Sequence, residues 1–343
     1  MPGLWRIYRQ IQQSKYFSAS AIFVLLCALL ATALYFLIRW AIIDAVWSGE
    51  SKSCHSQAGA CWIFIAEKWR FILFGLYPPS EQWRPTVALL MLSGFFWLIR
   101  QSGHMKYPAG LLILLLDVWL IAGGGLLPSI PVALWGGLPL TLLLTLGALL
   151  GALPLAIALA FARTSRIYVM RAFAMCYIET LRAVPLISVL FMASVMLPLL
   201  MPETSAPDKM LRALGALILF VAAYMAEAIR GGLVAIAAGQ REAAAALGFG
   251  RRSYAWLIAL PQAMRTAIPA LTGIAIGTFK DTSLVLVIGL LDLMTTTRAA
   301  LSDPQWLGHP LEAYGFAMVL YGVMAWGASQ TARHLETTLT HHM

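Results

Sequence analysis

Charge is scarce in this chain. Of 343 residues, 11% are Asp, Glu, Lys or Arg, 60% are hydrophobic, and the mean hydropathy is +0.79. A soluble domain carries roughly a quarter charged residues, so this is not the composition of a water-soluble globule. Cysteine is rare too, with four residues. Cys54 and Cys61, with His55 alone beside them, make a poor zinc ligand set, so no metal site is expected. No G-x-x-x-x-G-K-[ST] run occurs, and no lysine follows a glycine, so the chain offers no standard phosphate loop. H-E-x-x-H and G-x-S-x-G are also missing, and no catalytic constellation stands in their place. Alternating ten-residue strands, the mark of a membrane barrel, are absent as well.

What is present is a series of apolar runs. About eight are read as membrane spans: 19–43, 84–99, 108–127, 138–161, 183–201, 211–234, 266–290 and 312–332. A helix needs about 20 apolar residues to cross a bilayer. Only helices and closed barrels satisfy their backbones in lipid. The expected fold is therefore an all-α polytopic transmembrane helix bundle. The first run is too long for the apolar part of a signal peptide and reads as an anchor. The net charge of +9 does not point to nucleic acid. Most Lys and Arg flank the runs, where they set orientation and meet anionic lipid headgroups.

Arg6, Arg9 and Lys15, then Arg100 and Lys106, then Arg163, Arg166 and Arg171, then Arg230, Arg241, Arg251, Arg252 and Arg265 all fall on one side of an eight-span scheme. The loops on the other side mix signs, with Asp44, Glu50, Lys52, Glu203, Asp208, Lys209, Asp292 and Asp303 among them. Positive charge marks the cytoplasmic side, which places both termini in the cytoplasm.

Two parts are expected. Residues 1–130 hold three spans and an external loop. After a Gly/Pro-rich passage, residues 136–335 hold five spans, with a polar, basic loop at about 235–262. Cys54 and Cys61 lie in the external loop. They close a disulfide if that loop is periplasmic and remain thiols if it is not.

The basic loop carries the most informative pattern. It runs Glu242-Ala243-Ala244-Ala245-Ala246-Leu247-Gly248, then Ile258-Ala259-Leu260-Pro261. The alanines favour a helix that a partner can approach closely. Gly248 suits a helix end and sharp turn, and Pro261 suits the point where the chain turns back to the bilayer. This pattern resembles the EAA loop of the membrane subunits of bacterial ABC importers. That resemblance implies a cytoplasmic helix-turn-helix docking on a separate ATPase, with Glu242, Ala243, Ala244, Gly248, Ile258, Leu260 and Pro261 forming the contact. Residues 223–232, 239–242 and 277–284, with Arg182-Ala183-Val184-Pro185-Leu186, are similar to the narrower family of polar amino acid permeases. The longer, general L-amino acid members resemble the three-span extension.

The resemblance implies an ABC importer permease core (MetI-like) in the C-terminal five spans. It also implies ATP-binding subunits, a second homologous permease as heterodimer partner, a periplasmic binding protein and amino acid cargo. ATP and Mg would then belong to the partner ATPase. The chain itself would be no enzyme, and its location the bacterial inner membrane. The family usually has Arg-Gly-Thr-Pro where this chain has Arg182-Ala183-Val184-Pro185, and Pro185 predicts a local break in the helix.

Ionisable groups inside spans face a partner or a water-filled path. Glu179 and Arg182, and Glu227 and Arg230, are three apart and can pair on a helix face. Glu179 and Arg182 also rank as translocation-path candidates, with Lys280, Asp281, Thr282 and Ser283. Lys280 and Asp281 are adjacent and point in different directions, so each meets either substrate or another span. Asp117 is expected to pair with another N-terminal span or a partner subunit. An ion-gradient-driven secondary amino acid transporter is the alternative, and it predicts internal repeats with helices broken at the midplane in both halves.

Overall fold

The computed structural model describes residues 22–54, 59–98, 106–202 and 207–340. Arg6, Arg9, Lys15, Arg100 and Glu203, which enter the charge count, lie outside the described residues. Among the described residues no β-strand forms; there are isolated bridges only. The main helices are α1 (Ile22–Ile43), α2 (Trp62–Phe74), α3 (Trp83–Leu98), α4 (Lys106–Ala122), α5 (Gly137–Arg163) and α6 (Tyr168–Ala183). They continue as α7 (Leu186–Leu199), α8 (Lys209–Val234), α9 (Ala238–Ala246), α10 (Arg251–Ile288), α11 (Leu293–Leu301) and α12 (Pro310–Thr340).

Among the described residues five helices are long and apolar enough to cross a membrane, and α6 with α7 makes a sixth if the bent pair is one span, so not all of the eight expected spans are recovered there. The run 183–201 is no straight helix: α6 and α7 meet at 103°. Val184 is extended there (φ −93°, ψ 135°), and Pro185, which has no N–H to continue the ladder, starts the next helix. The runs 84–99 and 108–127 correspond to α3 and α4, of 16 and 17 residues.

The chain falls into two compact units: Met1–Glu67 with Leu301–Tyr314, and Lys68–Ala300 with Gly315–Met343. Within the larger unit α3 and α4 share a core with α5. Ala88 and Ile121 are buried in the same cluster as Trp135 and Leu140.

In the larger unit α5 and α8 form the central pair. A stripe of Ala148, Ala152, Ala156 and Ala160 along α5 is fully buried. Small side chains let two spans approach closely where lipid offers no hydrophobic drive. Two apolar clusters stack along this pair. One joins Leu144 to Leu217 and Phe220; the other joins Ala156 to Ala222 and Ile229.

Asp292, expected in a polar loop, is fully buried. It caps α11, accepting from the backbone N of Met294 at 3.1 Å and of Thr295 at 3.0 Å, and also from the Thr295 hydroxyl. Thr141 accepts from the N of Leu293 at 3.0 Å. Burial pushes the Asp292 carboxyl up, and the hydrogen bonds from Thr295 and Met294 oppose that shift.

In the smaller unit Cys54 and Cys61 are joined by a disulfide, with Cα atoms 5.6 Å apart. The N of Cys61 donates to Glu312 Oε1 at 2.8 Å. Phe64 packs edge-on against Trp306, centroids 5.7 Å apart.

Candidate functional site

The EAA run folds as α9, a short helix on the surface. Glu242 and Ala243 are exposed, while Ala244 is buried beneath them. Among the described residues Glu242 makes no ion pair, so its carboxylate remains open to a partner. The helix ends in a Schellman arrangement. Gly248 sits at φ +78°, its N donates to Ala245 O at 3.1 Å, and the N of Phe249 donates to Ala244 O at 2.9 Å. That left-handed position is where a side chain would be strained. Leu247, Phe249, Trp256 and Leu257 stand 77%, 40%, 55% and 68% exposed. This surface patch is apolar and mixed with positive charge. A groove of about 530 Å³ runs beside it, lined by Arg166, Arg241, Glu242, Phe249, Arg251 and Tyr254 among others.

Pro261 does not mark a turn. The reversal is complete by Gly250, and Pro261 lies within the continuous helical rod α10. A π-helical stretch, Tyr254–Ala259, directly precedes it and absorbs the missing N–H. Ile258 and Leu260 are half-buried on this rod, and Pro261 is exposed.

Glu227 and Arg230 pair as their spacing suggests, with Arg230 Nε and Nη2 donating to the two carboxylate oxygens at 3.0 and 2.6 Å. Glu179 and Arg182 do not pair. Arg163, at the end of α5, takes Glu179 instead at 2.8 Å and also reaches Glu227 at 3.7 Å. One network thus ties α5, α6 and α8 together. The helical three-residue spacing missed Arg163, because its partner lies on another helix.

Freed from Glu179, Arg182 lies with its guanidinium carbon 5.6 Å from the ring centre of Tyr224. Both line a cavity of about 540 Å³ at the bend between α6 and α7. The broken turn Ala183–Pro185, Phe220, Gly277, Thr278 and Asp281 complete much of its wall. A cation and a carboxylate therefore face one chamber. Of the other residues singled out, Lys280 is exposed on a different face of α10, Thr282 is fully buried and donates to Phe279 O at 2.7 Å, and Ser283 is half-buried outside the lining. Glu179 is absent from the lining as well. Tyr224 entered the sequence reading only within the run 223–232, with no role of its own.

Residues 152–329 match the family model described as binding-protein-dependent transport system inner membrane component. The chain is 42% identical to the inner membrane amino-acid ABC transporter permease protein YhdY of Escherichia coli K12, over 88% of this chain and 83% of that protein. It is 33% identical to the glutamate/glutamine/aspartate/asparagine transport system permease protein BztC of Rhodobacter capsulatus, over 87% and 82% of the two chains. A crystal structure of an amino acid ABC transporter with histidines superposes with a TM-score of 0.52 at 29% identity, covering 59% of this chain and 92% of that one. The chain belongs to the binding-protein-dependent transport system inner membrane component family, as an all-α ABC transporter permease.

Proposed function

We propose that this permease carries zwitterionic amino acids across the bacterial inner membrane. The observation that carries the reading is the chamber into which Arg182 and Asp281 both face. An α-amino acid presents a carboxylate and an ammonium a few ångströms apart. Arg182 offers a planar fork to the carboxylate, and Asp281 accepts from the ammonium. The chamber's volume, about 540 Å³, is in the range of sites that enclose small molecules. Similarity to an amino-acid permease and to a glutamate/glutamine/aspartate/asparagine permease supports the same cargo class.

Energy comes from ATP and Mg on separate ATPase subunits, which dock on α9 and its flanking apolar residues with Glu242, Ala243, Gly248, Ile258 and Leu260 at the contact. Arg166, Arg241 and Arg251 beside the groove suit an acidic counterpart. ATP binding favours the outward-open state and hydrolysis the inward-open one. A periplasmic binding protein delivers cargo, and the second half of the pore is a homologous permease, forming a heterodimer. α9 and both termini face the cytoplasm; the Cys54–Cys61 disulfide faces the periplasm, where such bonds persist.

Co-purification tests this. An ATPase subunit expressed from the same operon is expected to co-purify with wild type and to be lost from Glu242→Arg with Gly248→Asp. Reconstituted with its partners, the wild type takes up labelled amino acid on ATP addition. Uptake that ignores ATP and collapses with the ion gradient would move the chain to the secondary-transporter alternative.

A further inference from the structure

A second cavity, of about 420 Å³, lies between α3, α4, α5 and α8. Its wall is apolar, typified by Leu89, Leu114, Trp135 and Leu143. Two carboxylates, Asp117 and Asp208, also line it, and among the described residues no Lys, Arg or His does. Asp208 caps α8, accepting from the N of Met210 at 3.0 Å. Asp117 is only 8% exposed, and its Oδ1 has no hydrogen-bond partner among the described residues. A carboxylate left so inside an apolar wall is costly, and such a group in a membrane protein faces a partner or a ligand.

We propose that this cavity holds a membrane lipid whose headgroup carries a primary ammonium. The ammonium donates to Asp117 Oδ1, and a length of acyl chain fills the apolar wall. Charge selects a cation, since the lining offers carboxylates and no counter-charge for an anion. For the same reason an amino acid is excluded, because its carboxylate would meet two others. Size argues against a helical turn of a partner seated inside, which alone takes up about 400–600 Å³, whereas the cavity holds about 420 Å³ and a lipid need enter only with its amine and part of one chain. Its depth also fits. Asp117 stands five residues before Ala122, about 7.5 Å from the end of α4, and Asp208 marks the start of α8. Both carboxylates thus lie near one end of the spans, at headgroup reach. Val118 and Leu211 in the wall are also 41% and 59% exposed, so the mouth opens sideways, where lipid lies.

The test uses the full chain with its co-purifying subunits in nanodiscs of phosphatidylethanolamine and phosphatidylglycerol. After detergent exchange, retained lipid is counted by native mass spectrometry. Wild type is expected to keep phosphatidylethanolamine in preference to phosphatidylglycerol. Asp117→Asn, similar in shape but uncharged, should cut that retention about tenfold, the change made by ~1.4 kcal/mol. Leu146→Trp should abolish it by filling the cavity while leaving Asp117 in place. Replacing phosphatidylethanolamine by phosphatidylcholine around the wild type should do likewise, since a quaternary ammonium has no N–H to donate; this arm needs no variant to fold. Equal retention of the lipids by wild type, or retention unchanged in Asp117→Asn, overturns the proposal. So does a photo-crosslinker at Leu89 that captures a second permease chain instead of lipid.

Discussion

Gly232 of α8 lies so close to α10 that a Cβ there would stand 2.2 Å from the carbonyl oxygen of Ala263. The obstacle is backbone, which has no rotamer to yield. Gly232→Ala should therefore push the two helices apart and cost ~1–3 kcal/mol, the usual range for overpacking. Gly231→Ala, whose Cβ meets nothing within 4 Å, serves as the control. Thermal unfolding in detergent should show a clearly lower midpoint for the first variant and little change for the second.

Arg163 and Glu179 form a pair that a double-mutant cycle can weigh. Glu179 is 57% exposed at its side chain, so solvent screens the contact. A coupling of about 0.5 kcal/mol is expected between Arg163→Ala and Glu179→Ala. The cycle of Arg182→Ala with Glu179→Ala should show none. Coupling in the second cycle alone would mean that the helix-face pairing holds in solution.

The chamber at the bend makes a directional prediction about two neighbours. Asp281→Asn should weaken amino acid uptake at least about tenfold, as loss of a charged contact of ~1.4 kcal/mol does. Lys280→Ala, on an exposed face, should stay within about twofold of wild type. Labelled uptake at several substrate concentrations separates the two. Equal effects would remove the chamber as the cargo site.

At Gly248 the decisive property is the backbone. With φ at +78° and open space around a Cβ, substitution strains the chain without a clash. Gly248→Val should abolish co-purification of the ATPase. Gly248→Asn should retain most of it, because Asn tolerates the left-handed region.

Asp292 gives a pH dependence. Its folded pKa is raised, chiefly by burial, so the folded state holds the proton more tightly than the unfolded chain. The linked stability is present in full below the unfolded carboxylate value of about 3.9 and is lost as pH rises through the raised folded value. Asp292→Asn should flatten this part of the slope. Thermal midpoints of both proteins across an acid-to-neutral series check the sign; parallel curves would contradict it.

The apolar runs and the alanine-rich helix α9 could be read directly from the residues, since a bilayer's thickness dictates run length and a left-handed glycine ends a helix in a recognisable way. Other features could not. Spacing finds partners on one helix, so Glu179 pointed to Arg182, whereas Arg163 comes from another element. In an apolar span both faces look alike, which hid that Asp281 faces a chamber and Lys280 does not. Asp292 resembled an ordinary loop charge, because its burial depends on Thr141 and Gly137 arriving from 150 residues earlier in the chain. Pro261 looked like a turn because the π-helical stretch that accommodates it has no sequence mark.

The rod α10 starts at the reversal after α9 and carries Gly277, Thr278 and Asp281 into the chamber wall. Arg251 and Asp281 are thirty residues apart, about 45 Å along the axis. A rod of that length is a lever arm: a tilt of about 5° at its foot sweeps the far end through about 4 Å. The stretch Tyr254–Ala259 near the foot is wound more loosely than the α-helix beyond it, so any tilt that a docked ATPase imposed at α9 would have to pass through this stretch before it reached Asp281.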